Sequence, residues 1–156
     1  KLEYARVDLA ALMADIGKQM RLRSIRENIN FEVVYTENLP EFISDANRLK
    51  QVFINILDNA FNFTGAGGTV RFRAEVREKE LVFAIEDTGC GIPADELPVV
   101  KEKFYKGKSS RSQNGIGLSI CEEIITLMKG RMEIQSEVNV GTTVTIVLPK
   151  EVRADG

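Results

Sequence analysis

No histidine occurs among the 156 residues. That absence removes Ser-His and Cys-His nucleophilic catalysis, and histidine-ligated metal sites with them. Cysteine is nearly as scarce. Cys90 and Cys121 are the only two, too few for a disulfide framework and without metal-ligand spacing, so a reduced, cytoplasmic thiol pair is expected. A net charge of −2 argues against a generic nucleic-acid binder. No apolar run reaches membrane-spanning length and no stretch reads as a signal peptide, so direct membrane insertion is not expected. Internal repeats and low-complexity segments are missing too. The first residue is Lys1 rather than Met, which leads us to expect a piece of a longer protein. What is present is the length of one domain, with 44% hydrophobic residues to build its core. We take residues 1–150 as that domain and 151–156 as a polar tail.

The chain is organised around Asp45–Thr64. At roughly 100° per residue, Leu49, Val52, Phe53, Ile56, Leu57, Ala60 and Phe61 form a broad apolar face. Arg48, Gln51, Asn55, Asn59 and Asn62 form a polar stripe opposite, only about 80° wide. Asp45 is a good N-cap, its carboxylate accepting from the free N–H groups of the first turn. Most such stripes simply face solvent. A solvated face, however, is normally rich in Lys and Glu, and Asn is a poor helix former. Three Asn at i, i+4 and i+7 lower helix stability and supply short carboxamides. Each carboxamide offers a neutral oxygen to a cation and a donor to a phosphate. The stripe reads as facing away from the core.

Around this helix the pattern is regular. Asp8 caps a first helix with Leu9, Leu12, Met13, Ile16 and Met20 at helical spacing. Its Arg21–Arg26 end reads as a solvated helix terminus. Phe31–Tyr35 and Glu41–Ser44 read as strands. Thr69–Val76 alternates, with Val70, Phe72, Ala74 and Val76 on one face, and pairs with Leu81–Glu86 as an antiparallel hairpin. Asp87–Asn114 is long and irregular. Ile116–Met128 is a further amphipathic helix stopped by Gly130. Arg131–Ser136 and Thr142–Leu148 close the chain as a second hairpin. The class is α+β, a mostly antiparallel sheet with helices on one face.

Three stretches carry chemistry. Asp87-Thr88-Gly89-Cys90-Gly91-Ile92-Pro93 follows a strand, and two glycines one residue apart let the backbone approach a ligand closely. Asp87 at the strand end can accept a hydrogen bond from a ligand amino group. Gly115-Ile116-Gly117-Leu118 opens a helix whose N–H groups and positive dipole end suit a phosphate. Between them lie Lys101, Lys103, Lys106, Lys108 and Arg111, interleaved with Phe104 and Tyr105. A long stretch of this kind inside a compact domain is commonly a lid, and its cations can neutralise phosphates.

In sequence order these segments resemble the ATP-binding catalytic domain of a sensor histidine kinase, in the wider superfamily with type II topoisomerases and mismatch-repair ATPases. Asn55-Ile-Leu-Asp-Asn59-Ala resembles the N box. Asp87-x-Gly89-x-Gly91 resembles the first glycine box and Lys103-Phe-Tyr-Lys106 the aromatic box of the lid. Asn114-Gly-Ile-Gly-Leu118 resembles the second glycine box and Gly141-Thr142-Thr143 the last. The resemblance runs from about Asp45 to Pro149. It implies a Bergerat fold, a two-layer α/β sandwich in which a mixed sheet of about five strands packs on about three helices.

The resemblance also implies ligands and roles. ATP and Mg2+ would be the cofactors, with Asn59 binding the metal. The ATP-binding set would be Asn55, Asn59, Asn62, Phe63, Asp87, Gly89, Gly91, Ile92, Lys103, Tyr105, Lys106, Gly115, Ile116, Gly117, Leu118 and Thr142. Phe63, where the family usually has Tyr, would stack near the adenine. Asp87, supported by Thr142, would receive its amino group. Asn62 stands where a phosphate-binding Lys or Arg is usual, Lys101 where the aromatic box often has its first Phe, and Gln113 where the second glycine box usually starts. Asn55 stands where hydrolysing members carry the Glu that activates water, and an amide cannot be a general base. The implied function is donation of the γ-phosphate to a histidine on a separate dimerisation domain of the same parent protein, with a response regulator as further partner. No acid, base or nucleophile would come from this chain. A protein-serine kinase of the anti-sigma type and a non-catalytic nucleotide-binding or docking module are the alternatives. The implied location is cytoplasmic, as part of a membrane-bound sensor.

Overall fold

The computed structural model describes residues 2–35, 39–89 and 115–150. Its elements, in order, are β1 (Ala5–Asp8), α1 (Leu9–Glu27), β2 (Asn30–Tyr35), β3 (Glu41–Ser44), α2 (Ala46–Phe63), β4 (Thr69–Val76), β5 (Glu80–Asp87), α3 (Gly115–Leu127), β6 (Arg131–Glu137) and β7 (Gly141–Pro149). The α+β class and the helix and strand assignments made from periodicity hold. Strand β1 is an addition: four residues with a single buried side chain, Val7, carry too short an alternation to register as a strand.

The main sheet has five strands in the order β2-β4-β5-β7-β6. It is mixed, because β2 runs parallel to β4 while the other pairs are antiparallel. A parallel neighbour requires a crossover, and here β3 and α2 supply it. Strand β3 pairs instead with β1, as a separate two-stranded ribbon.

The alternation of β4 sends Val70, Phe72 and Ala74 to the buried side. There they meet the apolar face of α2. Phe53 of α2 sits 5.1 Å from Phe72 and 4.8 Å from Phe83, ring centre to ring centre and tilted, a favourable aromatic arrangement. Helices α1 and α3 flank α2. Leu9, Met13 and Ile16 of α1 and Ile125 of α3 are fully buried. Asp45 caps α2 as the sequence indicates, accepting Arg48 N–H at 3.1 Å.

The Arg-rich end of α1 is largely solvated, with Arg21 and Arg26 exposed, yet two of its guanidiniums also reach neighbouring elements. Arg21 lies over the Phe31 ring at 5.1 Å and donates to the Phe31 carbonyl. Arg23 lies over Phe61 at 5.2 Å and ion-pairs with Asp58 at 3.0 Å. These guanidiniums stitch α1 to β2 and α2, where their planar, weakly hydrated heads can stack and pair together.

Candidate nucleotide site

Helix α2 and the ends of β5, β6 and β7 form a small pocket lined by Ile56, Asn59, Ala60, Phe63, Ile85, Asp87, Ile134, Thr142 and Val144. Its walls are apolar, and its polar groups are few and convergent, as in small-molecule sites generally. Strand register sets the far wall. Asp87 is opposite Thr142 and Ile85 opposite Val144, so all four share the helix-facing side of the sheet.

Two glycines allow this closeness. A Cβ on Gly89 would stand 2.3 Å from the Phe63 carbonyl oxygen, so the turn after β5 lies directly against the end of α2. Gly141 has φ +146 and a Cβ there would stand 1.9 Å from the Asp87 carbonyl oxygen. No side chain fits at either position, which draws β5, α2 and β7 together around the pocket.

Asp87 Oδ1 accepts Gly89 N–H at 2.8 Å, and the carboxylate also accepts from the Thr142 backbone N–H. Burial nevertheless raises its pKa to about 6, the two hydrogen bonds offsetting only part of the desolvation. The carboxyl is therefore ionised at neutral pH while largely withdrawn from water. It acts as an acceptor of unusual strength for a ligand N–H.

Asn59 departs from the sequence reading. It does not face away from the core but is buried, and neither polar atom of its carboxamide has a hydrogen-bond partner among the described residues. An orphaned buried amide is unfavourable by about 1–3 kcal/mol, and such groups ask for an explanation. The stripe divides because α2 is covered on several sides. Asn55 is half-buried beside the Cys121 thiol of α3, which donates to the Val52 carbonyl at 3.7 Å, while Asn62 is exposed and accepts from Arg23 Nη2 at 2.7 Å.

Of the residues expected from the sequence, the structure brings Asn59, Phe63, Asp87 and Thr142 together as pocket lining, with Gly89 beneath. It turns Asn55 toward α3 and Asn62 toward α1. Gly115, Ile116, Gly117 and Leu118 form the start of α3. Gly91, Ile92, Lys103, Tyr105 and Lys106 lie outside the described residues, as do Lys101, Gln113, Cys90 and the tail. The apolar walls Ile56, Ala60, Ile85, Ile134 and Val144 were not anticipated as site residues. Their only signal was membership of a buried face. Among the described residues no group of three or more His, Cys, Asp or Glu could hold a metal ion, and no helix is long and apolar enough to cross a membrane.

Residues 44–152 match the Histidine kinase-, DNA gyrase B-, and HSP90-like ATPase family, and the chain belongs to it. It is 39% identical over 115 residues to the adaptive-response sensory kinase SasA of Synechococcus elongatus, covering 72% of this chain and 30% of that protein. It is 30% identical to the signal transduction histidine-protein kinase BaeS of Escherichia coli, over 96% of this chain and 32% of that one. The chain thus spans about a third or less of these curated relatives. In fold it is similar to the catalytic domain of the histidine kinase ThkA, with a TM-score of 0.86 at 24% identity over 96% of this chain and 99% of that one. A full-length ShkA solved with AMPPNP superposes with a TM-score of 0.85 at 26% identity, over 99% of this chain and 33% of that one.

Proposed function

We propose that this chain binds Mg-ATP and donates the γ-phosphate to a histidine on a separate dimerising domain of its parent protein, as the catalytic module of a two-component sensor kinase. The observation that carries the reading is Asn59: a buried carboxamide without a partner, lining the same pocket as the Asp87 carboxylate. The relatives named above are sensor kinases, and ShkA was solved with an ATP analogue.

The residues fit magnesium in a particular way. Magnesium keeps several waters and is usually held by one or two protein oxygens plus substrate phosphates. A single amide oxygen from Asn59, without a carboxylate cage, suits that habit. When bound, the ion would neutralise charge on the phosphates. The chain's own residues do the rest. Asp87 accepts the base amino group, the apolar walls exclude water, and Phe63 covers the base. Lys103 and Lys106 would contact the phosphates from outside the described segment, together with the backbone N–H groups at the start of α3. Positioning and charge stabilisation are where phosphoryl transfer gains most of its rate. Asn55 stands where a water-activating Glu would be needed, and an amide cannot be a general base, which favours transfer over hydrolysis. A response regulator would take the phosphate onward from the histidine.

The test has two parts. Calorimetric titration of ATP with and without Mg2+ should show metal-dependent binding in the wild type and none in Asn59→Ala; equal affinities would overturn the site. Labelled ATP should then mark a separately expressed histidine-bearing dimerising domain with an acid-labile, base-stable phosphate, slowly because no tether raises the effective concentration. Acid-stable label would mean a serine kinase, and no label a binding module.

A further inference from the structure

Across the sheet from β6 and β7, the outermost strand is β2, which has β4 as its one neighbour among the described residues. Asn30 N–H donates to the Gly68 carbonyl beside β4 at 2.8 Å. Alternation along the strand then turns the backbone N–H and C=O groups of Phe31, Val33 and Tyr35 outward. Arg21 agrees with this, since it reaches the Phe31 carbonyl from α1. The outward groups of Val33 and Tyr35 face an open edge, and Val34 and Tyr35 are 46% and 44% exposed. Edges are usually blunted by charge, proline or a covering element, because unpaired N–H and C=O groups template the addition of another strand.

Beside this edge, α1 and β2 form an open groove of about 450 Å3, room enough for the side chains of a ligand. Ala14 and Gly17 leave its floor almost bare. A Cβ on Gly17 would stand 3.2 Å from Val33 Cγ2, so helix and strand meet there directly. Leu22, Val33 and Tyr35 give the groove apolar walls, and the exposed Lys18 and Arg21 line it with positive charge. The two carboxylates of α1 are committed elsewhere, Asp15 to Lys50 and Glu27 to Arg23. A ligand seated here meets two cations that α1 itself does not neutralise.

We propose that this edge and groove are a docking site for an extended, acidic segment of a partner protein, which adds to β2 as a further strand. Val33 and Tyr35 supply the backbone hydrogen bonds, as in strand addition generally. Every second side chain of the segment then falls on the helix side of the sheet. Apolar ones fill the groove over Ala14 and Gly17, and a carboxylate at the segment's end meets Lys18 or the N–H groups that Arg21 does not give to Phe31. Arg21 also limits the pairing: the Phe31 carbonyl is taken, so the added strand begins at Val33. A helix laid in the groove would use the apolar walls but leave the outward N–H and C=O groups to water. The nucleotide pocket, lined from β5, β6 and β7, is not involved.

The probe is a short blocked peptide with valine at alternate positions, serine between them and glutamate at each end, added to the whole chain without nucleotide. Amide exchange followed by NMR should slow at Val33 and Tyr35 and stay unchanged at Glu32 and Val34, which already face β4. N-methylating alternate peptide residues should abolish binding for one set and spare it for the other, because the valines fix which N–H groups face β2. Lysine in place of the terminal glutamates should weaken binding, and Lys18→Glu should weaken the glutamate peptide by about fivefold. Lys18→Glu should also bind the lysine peptide more tightly than the wild type does, a gain that misfolding cannot produce. Equal binding of the two N-methylated peptides, equal binding of the glutamate and lysine peptides, or no binding at all overturns the proposal. Protection at Val33 that grows with protein concentration alone would assign the edge to a second copy of this chain and overturn it as well.

Discussion

Arg23 Nη2 donates to Asn62 Oδ1 at 2.7 Å, so a carboxamide counted in the implied ATP-binding set is held by the first helix. Asn62→Ala should therefore change Mg-ATP affinity less than twofold, in contrast to Asn59→Ala. Arg23→Ala should be the more damaging change to stability. It loses the Phe61 stack and the pairs with Glu27 and Asp58 together, about 1–2 kcal/mol for a half-exposed cluster. Denaturant unfolding and nucleotide titration on the two variants separate these effects. A tenfold affinity loss in Asn62→Ala would return it to the site.

Asn59→Leu should stabilise the nucleotide-free protein while abolishing Mg-ATP binding. The leucine is close in shape and removes two buried polar atoms that have no partner, a gain of about 1–3 kcal/mol. Thermal melting without nucleotide is the measurement. A lower melting temperature in Asn59→Leu would show that the amide is already satisfied in the free protein.

Asp87 should make stability fall as pH rises through the acid range. Its folded pKa is raised from 3.8 to about 6, chiefly by burial, so between those values the native state binds more protons than the unfolded one. Stability from this group is then full below about pH 4 and is lost as pH approaches 6. Asp87→Asn should flatten that part of the profile and raise nucleotide-free stability at pH 7. Nucleotide affinity should move oppositely, weakening below about pH 6 as the carboxylate acceptor is protonated. Urea unfolding and titrations from pH 5 to 8 check both signs, and parallel trends would reject the assignment.

Asp45 holds two segments at once. Its Oδ2 accepts Glu3 N–H at 2.8 Å and its Oδ1 accepts Arg48 N–H at 3.1 Å. Asp45→Ala should lower stability by about 1–2 kcal/mol through the lost N-cap. It should also speed amide exchange at Glu3 as well as in the first turn of α2. Faster exchange in the helix alone would mean that the entering strand is held by β3 pairing without Asp45.

Much of this protein is legible in its residues. The 3.6 and 2.0 periodicities of Leu49–Phe61 and Val70–Val76 each identify a buried face without knowledge of what covers it, because burial of apolar side chains depends on composition and spacing. Short-range chemistry is equally local: the Asp45 cap needs only its own helix, and the order of glycine segments around Asn55, Asn59 and Asp87 needs only the chain. Strand β1 escaped because four residues carry little period.

What the linear chain did not decide is where each polar group points once several elements converge. Asn55, Asn59 and Asn62 are one stripe by angle, yet α3 engages the first through Cys121, the pocket receives the second and α1 takes the third through Arg23. Helical spacing determines which residues share a side; it carries no information about which neighbour fills the space beside each. The Asp87 shift and the contacts of Ser136 with Thr142 and Gly141 are of the same kind. Both depend on desolvation and hydrogen-bond geometry among residues far apart in sequence, brought into register only by the pairing of β5, β7 and β6.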